Sequence, residues 1–119
     1  LHHLVAAAGH GARVHTGSVP VFDFVRPLAE AGVVPGGTKK NLRYVTPHTR
    51  FDAALSDVDR LILCDAQTSG GLLIAVPAAN AAKLLTELAR KGTLAAAVVG
   101  EVVAAAPGKA GEIEVVPGR

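Results

Sequence analysis

Residues 65–76 read DAQTSGGLLIAV, and this stretch organises the rest of the chain. A short polar loop leads through two glycines into an unbroken apolar run, which ends at Pro77. Because an apolar run of this length between turn residues is typical of a fully buried strand, we predict a core strand over residues 71–76. The paired glycines free the backbone from Cβ restrictions, so another segment or a ligand can approach the loop closely.

The composition of the 119 residues indicates one small globular domain, and we expect a single domain over residues 1–119. Half of the residues are hydrophobic but only four are aromatic, so the core must consist mainly of Ala, Val and Leu. The formal net charge of +2 is too small to indicate a nucleic-acid partner. No apolar stretch is long enough for a membrane-spanning helix, so no membrane partner is expected.

Two features of the sequence indicate the cellular compartment of the chain and whether it is part of a longer protein. Cys64 is the only cysteine, which excludes an internal disulfide and favours a reducing compartment, the cytoplasm. A helical pattern already runs at Leu1, with no N-cap residue and no methionine before it. We therefore expect the chain to be part of a longer protein.

The spacing of apolar residues predicts both helices and strands. Helices are expected over residues 1–8, 22–29 and 81–88. Pro27 is expected to kink or split the second of these. Two short helices are expected as well, one after Thr38 and one from the N-cap Ser56 to Leu63. Strands are expected over residues 12–16, 71–76, 95–105 and 112–115. This order indicates an α+β fold, a mixed β-sheet with packed helices, whose second half resembles part of a ferredoxin-like unit.

Residues 36–44, with the sequence GGTKKNLRY, form the second informative stretch. The two glycines and Thr38 are expected to form a turn before the short helix, with basic residues at positions 39, 40 and 43 close behind. No acidic residue occurs over residues 36–51. Free N–H groups at a helix start beside cations are typical of an anion site. The stretch lacks the ending of a Walker A loop, and a solvated turn with a basic helix face is an alternative interpretation.

The sequence offers no catalytic or metal-binding group. Cys64 is a thiol, but it follows the apolar residues 61–63, so a buried and unreactive cysteine is the better interpretation. Asp57, Asp59 and Asp65 lack the glycine and the terminal glutamate of a calcium loop, and exposed acids or helix caps explain them. No catalytic triad can be assembled from the spacing of the residues.

Both informative stretches resemble one family. Residues 65–73 resemble the Asp-Pro-Gln-Thr-Ser-Gly-Gly signature of selenophosphate synthetase (selenide, water dikinase), with Ala66 where that family usually has proline. Residues 36–42 resemble its Gly-Gly-Thr-x-x-Asn-Leu segment, and residues 31–35 fit as well. The resemblance covers essentially the whole chain, and the motif at residues 65–73 is more specific than the motif at residues 36–42.

The resemblance implies the C-terminal domain of a longer, two-domain enzyme in the aminoimidazole ribonucleotide synthetase superfamily. Such an enzyme is an ATP-dependent phosphotransferase that makes selenophosphate, AMP and phosphate from selenide and ATP. The resemblance implies Mg²⁺ and ATP as cofactors of the full-length enzyme, the N-terminal domain as a partner of this chain, and a homodimer. The family's reactive cysteine or selenocysteine, its partner lysine and most of its magnesium ligands lie in the N-terminal domain. Cys64 does not match the reactive position, so the fragment alone is expected to be inactive and to bind no cofactor tightly.

The resemblance also gives a set of candidate site residues. The two motifs are expected to face the N-terminal domain, help close the site and contact phosphate. The candidates for phosphate or substrate binding, or for the domain interface, are Gly36, Gly37, Thr38, Lys39, Asn41, Gln67, Thr68, Ser69, Gly70 and Gly71. A structural turn in which Asp65 bonds its own loop is the alternative for the second motif.

Two other functions stay open on the sequence alone. One is a sister enzyme of the same superfamily, such as an aminoimidazole ribonucleotide synthetase, a hydrogenase maturation factor or a thiamine-phosphate kinase. The other is a non-catalytic module for small-ligand binding or subunit association.

Overall fold

The structure, a computed structural model, describes residues 1–118. In these residues the α-helices are α1 (His2–Ala7), α2 (Val25–Glu30), α3 (Gly36–Val45), α4 (Asp57–Leu63) and α5 (Ala78–Arg90). The strands are β1 (His10–His15), β2 (Thr49–Phe51), β3 (Gly100–Ala104) and β4 (Ile113–Val116). Within the described part of the chain, none of the helices has the length and apolar character needed to cross a membrane.

The strands form one mixed sheet in the order β2-β4-β1-β3. β4 runs parallel to both of its neighbours, whereas β1 and β3 are antiparallel. The predicted α+β class with a mixed sheet is therefore confirmed. The sheet places one end of the chain beside the other, because β4 lies between β1 and β2.

One face of the sheet carries the main core. Ile113 and Val115 of β4 are buried there with Leu55, and Phe51 and Leu63 pack against them. Strand residues alternate between faces, so only every second residue of β4 contributes to this cluster. The small aliphatic core expected from the composition is thus present.

The opposite face carries a row of alternating charges across all four strands. Arg50 of β2 pairs with Glu114 of β4, whose other oxygen accepts a 2.8 Å bond from Nε of Arg13 in β1. Arg13 also pairs with Glu101 of β3 at 3.2 Å. The hydrogen bond from Arg13 lowers the pKa of Glu114, and that bond likewise raises the pKa of Arg13. Exposed pairs of this kind add little stability each, but opposite charges at directly paired positions favour this register over a shifted one.

Helix α4 begins with a capping box. The hydroxyl of Ser56 accepts a 3.2 Å bond from the Asp59 N–H, and the Asp59 carboxylate accepts a 2.9 Å bond from the Ser56 N–H. Arg26 of α2 donates to the same carboxylate at 2.6 Å, which ties α2 to α4. The predicted helix with Ser56 as N-cap is confirmed. The bonds from Ser56, and then the bond from Arg26, lower the pKa of Asp59.

Replacing Asp59 with asparagine is expected to lower the free energy of unfolding by about 1 kcal/mol at pH 7. Because the pKa of Asp59 is lowered on folding, its carboxylate stabilises the fold above the unfolded pKa of about 4. This stabilisation is lost as the pH falls through the folded pKa, so the difference between Asp59→Asn and wild type should shrink below pH 4. Urea unfolding at pH 7, 5 and 3 measures the effect. Asp57→Asn is the control, because that side chain is 92% exposed. An equal loss in both variants, or a loss that does not change with pH, would contradict the expectation.

The predicted core strand over residues 71–76 is wrong. No strand forms there, and Leu72 is 90% exposed while Leu73 and Ile74 are about half exposed. An apolar run becomes a strand only when a neighbour supplies hydrogen bonds, and none of the four strands pairs with this run. The second half of the chain therefore contributes two strands to the sheet instead of three.

Helix α5 confirms the predicted amphipathic helix. Its apolar stripe is partly covered, and no residue of the helix is buried. The stripe consists of Ala81, Leu84, Leu85 and Leu88. Gly92, with a φ of +72°, follows the helix as expected.

Three smaller predictions are corrected by the structure. The Gly36-to-Thr38 segment is the first turn of α3 itself and not a turn before it. Helix α2 begins at Val25, so Pro27 lies in its first turn, where proline removes no intrahelical bond and no kink is needed. The run over residues 95–105 is a strand only from Gly100 onwards. Strand β2 was not predicted, because three residues are too few to show an alternating pattern.

Candidate functional site

The structure brings the two sequence motifs together at one point. Thr38, in the first turn of α3, is 1% exposed. Its hydroxyl donates to Oδ1 of Asp65 at 2.9 Å and accepts a 3.1 Å bond from the N–H of Ala66. The motif at residues 36–42 is therefore hydrogen-bonded directly to Asp65 and Ala66, the first two residues of the motif at residues 65–73.

Two further contacts complete this attachment. Asn41, one turn along α3, donates from its side-chain nitrogen to the carbonyl of Cys64 at 3.1 Å. Gly37 lies so close to Ala66 that a Cβ at position 37 would be 2.9 Å from the Cβ of Ala66. We call this set the motif junction; it consists of Gly37, Thr38 and Asn41 on α3 and of Cys64, Asp65 and Ala66 after α4.

Beyond the motif junction, residues 67–71 form an exposed loop. The side chain of Gln67 donates to Oδ2 of Asp65 at 3.4 Å, so this carboxylate contacts both Thr38 and the first residue of the loop. Gly70 folds back towards Gln67, because a Cβ at position 70 would lie 2.7 Å from the side-chain oxygen of Gln67. Thr68 and Ser69 lie at the exposed end of this loop.

The predicted site residues therefore fall into two groups. Gly37, Thr38 and Asn41 hold the two motifs together. The other candidates are exposed to solvent, and of these Gln67 also bonds Asp65 of the motif junction. They are Gly36, Lys39, Gln67, Thr68, Ser69, Gly70 and Gly71. The alternative of a structural turn is met in part, since Asp65 does bond Gln67 of its own loop.

The exposed residues of α3 carry positive charge, and the Asp65 carboxylate that Thr38 bonds is a negative charge at the same helix start. Lys39, Lys40 and Arg43 are all exposed on α3, and the first turn of this helix carries no acidic residue. The partial positive charge of the helix start adds to these cations. Within residues 1–118 no three His, Cys, Asp or Glu side chains are grouped so that they could hold a metal ion. The chemistry available here is hydrogen bonding and charge contact with an anionic group such as phosphate.

Cys64 takes part in the motif junction through its backbone. Its carbonyl accepts from Asn41, whereas its side chain is half-buried. Burial raises the pKa of the Cys64 thiol, so the thiol stays protonated at neutral pH and is a poor nucleophile. This agrees with the prediction that Cys64 is unreactive.

The sequence did not predict that Thr38 contacts Asp65, nor that Ala66 has a role. The one available signal was the glycine beside Thr38, since a glycine inside an element often marks the close approach of another backbone.

The sequence matches the family described as "AIR synthase related protein, C-terminal domain" over residues 1–111. The chain belongs to this family. Among its relatives, the "Selenide, water dikinase" of Myxococcus xanthus is 45% identical over 105 residues, which are 88% of this chain and 30% of that protein. The protein of the same name from Pseudomonas aeruginosa is 41% identical over 106 residues, 87% of this chain and 30% of its own length. That of Carboxydothermus hydrogenoformans is 39% identical over 88 residues, 74% of this chain and 26% of its own length. The chain thus spans less than a third of each of these relatives.

Proposed function

We propose that this chain is the C-terminal domain of a selenide, water dikinase, which makes selenophosphate, AMP and phosphate from selenide and ATP. The observation that carries this proposal is the motif junction. It joins the Gly-Gly-Thr and Gln-Thr-Ser-Gly-Gly segments into one unit, and relatives that match most of this chain are named for that activity. The resemblance of residues 65–73 to the selenide, water dikinase signature favours this enzyme over another enzyme of the family or a non-catalytic module.

The proposal divides the enzyme into two domains. The relatives are more than three times as long as the match, so we assign the reactive cysteine or selenocysteine and the nucleotide site to an N-terminal domain. We further propose that the full-length protein is a homodimer and acts in the cytoplasm, where the free thiol of Cys64 stays reduced.

The described residues fit the two implied cofactors differently. Without a cluster of carboxylates, they do not fit Mg²⁺, and we place its ligands in the N-terminal domain. The exposed cations on α3 and the hydroxyls of Thr68 and Ser69 fit a phosphate of ATP or of a product. In phosphoryl transfer most of the catalysis comes from positioning and from charge stabilisation. On this proposal the chain contributes hydrogen-bond donors and positive charge to the phosphate groups.

The proposal is tested with the full-length protein and with this chain alone. AMP release that requires both ATP and selenide is expected from the full-length protein and not from the isolated chain. The double variant Thr68→Ala/Ser69→Ala of the full-length protein should lose at least about tenfold in kcat/KM, because even one hydroxyl that bonds a charged phosphate contributes about 1.5–3 kcal/mol. Thr93→Ala is the matched control, since the hydroxyl of Thr93 bonds only the Leu88 carbonyl at the end of α5.

Three results would contradict the proposal. A full-length protein that consumes ATP without any dependence on selenide would indicate a sister enzyme. Turnover by the isolated chain would overturn the division of labour between the domains. Normal kcat/KM in the double variant would remove the loop of residues 67–71 from the site.

A further inference from the structure

The loop of residues 67–71 is attached to the domain on its N-terminal side by a few bonds. The Ala66 N–H donates to the hydroxyl of Thr38, and the same hydroxyl donates to the carboxylate of Asp65. The same carboxylate contacts the Gln67 side chain, which continues the chain of bonds into the loop. The direction in which the loop leaves the domain therefore depends on the Thr38 hydroxyl, together with the bond from Asn41 to the Cys64 carbonyl.

The environment of Thr38 gives this hydroxyl its influence. The side chain is almost fully buried, and its single proton and an acceptor position are both in use within the protein. Removing the hydroxyl would leave the Ala66 N–H and the Asp65 carboxylate without this partner, so both part-buried bonds to α3 would be lost. The Thr38 hydroxyl would then no longer hold residues 65 and 66 against α3.

We propose that Thr38 is a positioning residue: through Asp65 and Ala66 it orients the loop of residues 67–71, and thereby the Thr68 and Ser69 hydroxyls, towards a substrate phosphate. This inference rests on the proposed function for the identity of the substrate, but not for the role of Thr38 in the loop. Thr38 cannot contact the substrate itself, because it is buried and its hydroxyl already bonds Asp65 and Ala66.

The central test compares Thr38→Val with Thr38→Ser in the full-length protein. Valine keeps the shape of threonine and removes the hydroxyl, whereas serine keeps the hydroxyl and removes the methyl group. In Thr38→Val, amide hydrogen exchange at Asp65 and Ala66, whose N–H groups bond the Ile62 carbonyl and the Thr38 hydroxyl, should become about tenfold faster. Thr38→Ser should keep wild-type exchange. Thr46→Val is the matched control, since the Thr46 hydroxyl bonds the Leu42 carbonyl at the other end of α3.

Kinetics show whether the orientation of the loop matters for the reaction. In Thr38→Val, kcat and kcat/KM should both fall about 10- to 100-fold, because a misplaced contact loses its effect in the transition state. Thr38→Ser should retain kcat within about threefold, a rescue that lost packing alone would not give. Unchanged exchange in Thr38→Val, or equal losses in the valine and serine variants, would overturn the inference.

A second variant keeps the test decisive if Thr38→Val fails to fold. Ala66→Pro removes the N–H that donates to the Thr38 hydroxyl and leaves the bond between Thr38 and Asp65 in place. The proline ring itself restrains the backbone at residue 66, so Ala66→Pro should keep wild-type exchange at Asp65, whose N–H bonds the Ile62 carbonyl. In the double variant, proline should restore part of the protection that valine removes, and strictly additive effects would contradict the inference. If the wild-type enzyme shows no selenide-dependent turnover, the proposed function fails, while the exchange data still decide the role of Thr38.

Discussion

Replacing Gly100 with alanine is expected to detach β3 from β1 and to lower the free energy of unfolding by about 4 kcal/mol. A Cβ at position 100 would collide with the backbone oxygen of Arg13 and would lie only 3.1 Å from the Cα of Val14. These neighbours are backbone atoms of the paired strand, so no side-chain rotation can relieve the collision. The two strands must separate, which breaks the antiparallel pairs from His10↔Ala104 to Val14↔Gly100.

Urea unfolding and amide exchange of this chain measure that loss. The amides of β1 and β3 should lose protection in Gly100→Ala, and the unfolding midpoint should fall well below that of wild type. Gly71→Ala is the control, because a Cβ at Gly71 has no atom within 4 Å and its φ lies outside the left-handed region. An unchanged midpoint in Gly100→Ala would show that the strands tolerate a wider spacing than the structure indicates.

Gly100 also shows which parts of the fold can be predicted from sequence. Local signals were sufficient for several elements, because they act within a few residues: the Ser56 cap begins α4, and the apolar stripe together with Gly92 defines α5. From the sequence, Gly100 falls inside the longer strand predicted over residues 95–105. Its actual position, at the start of β3 and directly against β1, depends on which strands pair. Pairing is set by residues far apart in the chain, which a local pattern does not contain.

The prediction of a strand in the apolar run after Gly71 was wrong for the same reason. Its composition is typical of a strand, but a strand also needs a partner with free hydrogen-bonding groups. In the structure β4 occupies the centre of the sheet between β1 and β2, and the run over residues 71–76 stays outside it. The sequence predicted the number of elements well and the position of this segment poorly.

For the site, the sequence identified both motifs but not the contact between them. Each motif is a local pattern, whereas their contact depends on how α3 packs beside the end of α4. The structure also gives a physical meaning to one departure from the family signature. Ala66 stands where the resembling signature has proline, and its N–H donates to Thr38, a bond that proline cannot form. In this chain the hydrogen bond to Thr38 restrains the backbone at residue 66, whereas in the family signature the proline ring would restrain it.

Replacing Gly37 with alanine is expected to lower the free energy of unfolding by about 2 kcal/mol, because it forces α3 away from residue 66. A Cβ at position 37 would lie 2.9 Å from the Cβ of Ala66, well inside the normal distance between two carbon atoms. A shift of α3 large enough to relieve this contact would stretch the 2.9 Å bond from Thr38 to Asp65 and the 3.1 Å bond from Ala66 to Thr38. The variant should therefore also speed amide exchange at residues 65 and 66, whose N–H groups are hydrogen-bonded.

The neighbouring glycine provides a matched control. A Cβ at Gly36 has no atom within 4 Å, although Gly36 lies in the same first turn of α3. Gly36→Ala should keep the wild-type free energy of unfolding or raise it by up to about 1 kcal/mol, since alanine favours a helix more than glycine does. The difference between the two variants thus isolates the packing of α3 against residue 66 from helix propensity. If urea unfolding shows equal effects at both positions, the motif junction is looser than the structure shows, and the orienting role of Thr38 loses its structural basis.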